Sequence, residues 1–187
     1  GNFNPVHLAH LVMADQVQNQ LGLDKVYLMP TYLPPHVDEK KTISSEHRLA
    51  MLELAVADNP CLDIEPIELI RKGKSYTYDT MKALKEANPD TDYYFIIGGD
   101  MVEYLPKWHR IDDLLHLVQF VGIRRPNYPT ESTYPIIWVD VPQMAISSTL
   151  IRQKVKSGCS TRYLLPENVI NYIQEKGLYQ DELDNKL

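Results

Sequence analysis

The chain has 187 residues, with 25 acidic and 19 basic side chains giving a formal net charge of -6. That length fits one domain with a substantial core, and the acidic balance excludes a nonspecific nucleic-acid binder while leaving room for a local anion site. Cys61 and Cys159 can build neither a disulfide framework nor a CxxC metal pattern, and no apolar run is long enough to span a membrane, so a cytoplasmic setting with no nucleic-acid or membrane partner is expected.

The opening GNFNPVHLAH has the chemistry of a tight turn entering a helix, because Asn4 can cap and Pro5 suits a first helical position. A helix from Pro5 puts His7 and His10 on one face near its positive end, where free backbone N–H groups favour anions. A pair at this spacing also reads as a surface accident, a buried satisfied pair or half a metal site. A βα turn of this kind needs a strand before it, so a short central strand is expected ahead of Gly1.

LAHLVMADQVQNQLGL continues as an amphipathic helix with Leu8, Leu11, Val12 and Val17 near one stripe and Gly22 as its stop. The short strand KVYLM follows, then TYLPPHVDEKKTIS, a proline-rich loop without apolar period. A helix begins near Ser44 or Ser45 and ends before Asn59-Pro60. CLDIEPIELI looks extended, with Pro66 pointing to an edge or a break in pairing. YTYDTMKALKEAN is helical from about Thr77, and YYFIIGGD is a strand running into two glycines and an acid.

The second half repeats the alternation: helical DMVEYL and IDDLLHL, strands QFVGI and IIWVDV, then helices from SSTLIRQKV and PENVINYIQEK. Strands alternating with helices predict an α/β fold, a single Rossmann-like domain over residues 1–187 with a parallel sheet and helices on both faces. Ligands of such sheets bind beyond the carboxyl ends of the strands. There, the hydroxyls of AISSTLIR start a helix, and Arg152 lies one turn on. Ordinary capping by Ser147 or Ser148 explains the hydroxyls equally well.

GNFNPVHLAH resembles the GxFxPxHxxH signature of the nucleotidylyltransferase superfamily, and ISSTLIR resembles its second signature, ISSTxIR. The intervening LMPTYLPPH, KSYTYDT, FIIGGDM and LPKWH, with the terminal GLY, are similar to the bacterial nicotinate mononucleotide adenylyltransferases, so the likeness spans nearly the whole chain. It implies transfer of the adenylyl group of ATP to nicotinate mononucleotide, giving nicotinate adenine dinucleotide and pyrophosphate. It also implies Mg2+ held mainly by the ATP phosphates.

By the same resemblance, His7 and His10 contact the ATP phosphates, with His10 supporting the phosphoryl group in flight, while Gly1 and Phe3 shape the floor. Ser147, Ser148, Thr149 and Arg152 hold the triphosphate from the other side, and Gly98 and Asp100 match a GxD element at the nucleotide. Thr77 and Trp108 match the positions that hold the pyridine ring and its carboxylate, where an electron-poor ring stacks well on indole. His36 and Lys40 or Lys41 are weaker candidates for the acceptor phosphate. The chain departs from the family pattern at Ala9, usually glycine, at Asn2, usually Thr or Ser, and after PPH, where a basic residue is usual.

Rival readings are a pantetheine-phosphate adenylyltransferase or cytidylyltransferase, a nucleotide sensor without turnover, and a metal-binding module using His7, His10 and His36. Tyr163, Tyr172 and Tyr179, read as exposed, are candidates to line a subunit contact in a homo-oligomer, although scattered tyrosines are more often ordinary packing or surface.

Overall fold

The computed structural model describes residues 1–32 and 43–180. In chain order they form α1 (Leu8–Leu21), β1 (Val26–Leu28), α2 (Ser45–Val56), β2 (Leu62–Ile64), α3 (Ile67–Arg71), α4 (Thr77–Ala87) and β3 (Tyr93–Gly98). A 3-10 helix (Gly99–Lys107) follows, then α5 (Ile111–Leu114), β4 (Val118–Ile123), β5 (Ile136–Val139), α6 (Ser148–Lys156) and α7 (Glu167–Lys176). The described residues group into two compact units, 1–74 with 143–187, and 75–142.

In the first unit β1 pairs with β2 in parallel, Val26 opposite Leu62. Beyond β1 the Thr31 N–H donates to the Gly1 carbonyl at 2.9 Å, which brings the opening loop against the end of that strand. The core here is Val6, Val17, Met51, Leu52, Ile151 and Val169, all fully buried. In the second unit β3, β4 and β5 form a parallel sheet in that order, with Phe95 opposite Phe120 and Phe120 opposite Ile136. Leu105, Leu114, Phe120, Val121 and Ile123 fill its core. Every named strand pair is parallel, as the alternation of elements predicts.

Caps explain the helix limits that the sequence fixes well. Ser44 accepts from the His47 N–H at 3.4 Å to start α2, and Gly22, at φ 62°, closes α1 in the left-handed region. Other expectations need correcting. Helix α1 begins at Leu8, not Pro5: the Asn4 side chain does not cap it but accepts from the distant Tyr179 hydroxyl, and His7 takes the cap position. Its buried stripe is Ala14 and Val17, whereas Leu8, Leu11 and Val12 are half-buried and line a groove with Ala55 and Leu62. CLDIEPIELI is a strand only over Leu62–Ile64: the break expected at Pro66 is there, but IELI beyond it is the short α3, whose Ile70 N–H bonds back to the Pro66 carbonyl.

Tyr179 is not a surface aromatic but wholly buried, and the Tyr172 hydroxyl lies 2.8 Å from His47 Nδ1, joining α7 to α2; Tyr163 is exposed.

Candidate active site

The Gly1–His7 loop is held by donors from distant elements. Arg152 Nη1 on α6 donates to the Asn4 carbonyl at 2.8 Å, the Ser148 hydroxyl donates to the Pro5 carbonyl at 2.8 Å, and the Tyr179 hydroxyl donates to Asn4 Oδ1 at 2.7 Å. Phe3 takes a φ of 51° and Asn4 is buried. A non-glycine residue in the left-handed region is costly and persists only where its surroundings over-determine it. Here the start of α6 supplies much of that restraint, so the N-termini of α1 and α6 meet around one loop.

The two histidines sit at the start of α1. Their rings stack with centroids 3.7 Å apart at 26°, and Phe3 meets His10 edge-on at 4.8 Å. The His7 backbone N–H donates to His10 Nδ1 at 3.1 Å, so a neutral His10 carries its proton on Nε2 and presents a donor there. Burial pushes the His7 pKa down to about 4. His10 falls to about 3, first through burial and then through repulsion from His7. His7 Nδ1 is buried with no hydrogen-bond partner. Both rings are therefore neutral at physiological pH and poised to gain from an arriving anion.

The hydroxyls of the second motif are all engaged within the protein. Ser147 accepts from the Leu150 N–H at 3.1 Å and so caps α6, while Thr149 Oγ1 accepts from Arg152 Nη2 at 3.1 Å. Capping and anion binding are compatible, because one cap satisfies only one of a helix's first N–H groups. Arg152 is buried, and its guanidinium ties the two motifs together.

In the second unit, Gly98 ends β3 and Asp100 lies in the 3-10 helix that follows. A Cβ on Gly98 would lie 2.5 Å from Asp100 Oδ1, so the carboxylate folds over the glycine, with Arg125 Nε 3.8 Å from it. Thr77 opens α4, and the Trp108 N–H bonds to the Leu105 carbonyl at the end of the 3-10 helix. Their neighbours join the two segments: Tyr76 lies against His109 at 4.3 Å, and the Arg110 guanidinium sits 4.2 Å over Tyr78. The half-buried Trp108 ring rests edgewise on Phe95 and Phe120, each at 5.9 Å.

Thus Gly1, Phe3, His7, His10, Ser147, Ser148, Thr149 and Arg152 come together in the first unit, and Thr77 comes beside the Trp108 segment in the second. His36, Lys40 and Lys41 lie outside the described residues. Sequence reasoning missed Arg48, which sits on α2 with Met51, Leu52 and Ala55, all buried. An arginine interrupting an apolar stripe at i, i+3, i+4 and i+7 was the available signal.

Parallel βα units that carry neutral histidines and hydroxyls at helix N-termini define a nucleotide-binding enzyme class. A family model described as cytidylyltransferase-like matches residues 1–154, and the chain belongs to that family. Probable nicotinate-nucleotide adenylyltransferases of Streptococcus pneumoniae and Streptococcus mutans are each 63% identical to it, across 96% of this chain and 86% of theirs. Within the cytidylyltransferase-like family its place is with those nicotinate-nucleotide adenylyltransferases. The fold matches a Plasmodium falciparum nicotinic acid mononucleotide adenylyltransferase complexed with NaAD, with a TM-score of 0.79 at 18% identity over 98% of this chain and 96% of that one. It also matches a putative nicotinate-nucleotide adenylyltransferase of Vibrio parahaemolyticus, with a TM-score of 0.69 at 18% identity over 98% and 94%.

Proposed function

We infer that the chain transfers the adenylyl group of ATP to nicotinate mononucleotide, forming nicotinate adenine dinucleotide and releasing pyrophosphate in NAD biosynthesis. The observation that carries this reading is the neutral, stacked His7–His10 pair at the start of α1, in a loop bonded to the start of α6. Relatives 63% identical and named for this activity support the choice of substrates.

The acceptor phosphate attacks the α-phosphorus in line, the bond to the β-phosphate oxygen breaks, and pyrophosphate leaves. An ionised phosphate needs no general base, so the protein's part is positioning and charge stabilisation. His10, neutral, donates from Nε2 to the phosphoryl oxygens, a bond that strengthens as negative charge builds on them. His7 completes the pair, Ser147, Ser148 and Thr149 lend the α6 N-terminus, and Arg152 adds a fixed cation behind the loop. Gly98 and Asp100 serve the nucleotide, and Thr77 and Trp108 the pyridine ring and its carboxylate. His36 and Lys41 are assigned to the acceptor phosphate.

Among the described residues no group of three or more His, Cys, Asp or Glu side chains could hold a metal ion. The neutral imidazoles and hydroxyls at the loop are poor ligands for magnesium, which suits an Mg2+ ion carried mainly by triphosphate oxygens and its own waters. Bound there, it would neutralise phosphate charge.

The test is pyrophosphate release with ATP and Mg2+, comparing nicotinate mononucleotide, nicotinamide mononucleotide and phosphopantetheine. Strong preference for the first is expected. Release with only another acceptor would overturn the substrate, and release with none would favour a sensor.

A further inference from the structure

The Phe3 backbone is flanked on both sides by buried polar tethers. On one side Arg48 Nη1 donates to the Asn2 carbonyl at 2.8 Å and to the Thr31 carbonyl at 2.8 Å, and Nη2 donates to Ser45 Oγ at 3.2 Å. On the other, the Tyr179 hydroxyl donates to Asn4 Oδ1 at 2.7 Å. Arg48 is 1% exposed and Tyr179 0% exposed, so neither can reach a substrate. Burial holds the Arg48 guanidinium below its ordinary range, while Tyr179 works against that shift, which puts these two tethers in one electrostatic neighbourhood.

A buried guanidinium has a large desolvation cost, and one that also orders strained backbone is more than filler. Between the tethers Phe3 has φ 51°, and its ring stands edge-on to His10 at 4.8 Å. A slack loop would let Phe3 relax into the right-handed or extended region and swing its ring off the imidazole. The hydroxyl of Tyr179 and the two-armed donor of Arg48 are thus coupled to His10 through one residue's backbone.

We propose that Arg48 and Tyr179 are positioning residues, which clamp Asn2 and Asn4 so that Phe3 stays left-handed and seats the His10 ring for phosphoryl transfer. The catalytic part of this rests on the reaction inferred above; the conformational part does not.

The experiment uses the full chain as wild type, Tyr179→Phe and Arg48→Lys. It measures melting temperature, kcat and KM for ATP, and the His10 titration by NMR of histidine-labelled protein. Phe keeps the ring and removes only the hydroxyl; Lys keeps the charge but has no second nitrogen for Ser45 Oγ, so it loses the planar fork that fixes Nη1 between the Asn2 and Thr31 carbonyls. The expected result is a kcat loss of about three- to tenfold in Tyr179→Phe and about ten- to a hundredfold in Arg48→Lys, as small misplacements of a reacting group produce. Alongside it, the His10 titration rises from about 3 toward its ordinary value as the Phe3 ring withdraws. Lower melting temperatures with kcat, KM and the His10 titration all at wild-type values would overturn the proposal. If Arg48→Lys does not fold, Tyr179→Phe decides alone. If wild type releases no pyrophosphate with any acceptor, the reaction fails while the His10 titration still decides the clamp.

Discussion

The His7 backbone N–H donates to His10 Nδ1 at 3.1 Å while the two rings stack at 3.7 Å, so the helix start itself fixes which His10 nitrogen carries the proton. Nε2 is then a donor without any titration, and its bond to a phosphoryl oxygen strengthens as negative charge accumulates. Replacing His10 with Ala should lower kcat by about a hundredfold, the scale seen when one donor to a transition-state oxygen is removed, and weaken ATP binding far less. Steady-state kinetics beside calorimetric ATP affinity makes the check. Equal losses in both would mean that His10 supplies uniform binding and no special support to the transition state.

The same pair sets a pH dependence. Both histidines have native values below the ordinary 6.5, at about 4 for His7 and about 3 for His10. The unfolded chain therefore binds more protons than the native one below pH 6.5, and stability falls as pH drops from there toward 3. Above pH 7 the pair contributes no slope. Chemical denaturation of the free protein at pH 7.5, 6, 5 and 4 should show this loss, and His7→Gln should remove roughly half of the pair's slope across that range, leaving the His10 share.

A bound triphosphate places negative charge beside the imidazoles and raises their proton affinity, so ATP binding near pH 5 should take up protons. Calorimetry in two buffers of different ionisation enthalpy measures the uptake directly. Zero uptake in wild type would place the phosphates away from His7 and His10.

Much of this was legible because it is local. Ser44, Gly22 and Gly177 mark helix ends through caps, and the apolar run of β4 announces a buried parallel strand, whereas β3, from a run that reads the same way, is half-buried except at Ile97. The start of α1 was misread because Asn4 has two competing uses. A local rule makes it a cap, whereas in the fold its side chain meets Tyr179, 175 residues away. Arg48 was missed for a related reason: its two shortest bonds, both 2.8 Å, go to the main-chain carbonyls of Asn2 and Thr31, and a carbonyl partner leaves no mark in a sequence. The Tyr76–His109 and Tyr78–Arg110 contacts, which bring Thr77 beside Trp108, depend likewise on tertiary packing.

Two glycines of the second unit are required by close approach. A Cβ on Gly99 would lie 2.7 Å from the Ile123 carbonyl oxygen, which is backbone and cannot step aside. On Gly122 it would meet Ile136 Cγ2 and Trp138 at 2.8 Å, where neighbouring strands pack. Gly99→Ala and Gly122→Ala should each destabilise by about 1–3 kcal/mol, the usual cost of overpacking. Gly22→Ala makes a useful contrast: nothing lies within 4 Å of its Cβ, and only its φ of 62° resists the change. Thermal melts rank the three, and a Gly99→Ala protein as stable as wild type would contradict the packing around β4.

The acceptor-side roles are separable from the ATP site by which KM moves. Thr77→Ala should raise KM for nicotinate mononucleotide and leave KM for ATP near wild type, since the change removes one hydroxyl at the start of α4. Trp108 needs a gentler probe, because its ring also rests on Phe95 and Phe120 and an Ala there would leave part of the sheet uncovered. Trp108→Phe keeps an aromatic against both while giving up area for stacking on a pyridinium. It should raise the acceptor KM by about three- to tenfold, the scale of an aromatic contact worth about 0.5–1.5 kcal/mol, with little change in melting temperature. A fall in melting temperature with an unchanged acceptor KM would assign Trp108 to packing alone.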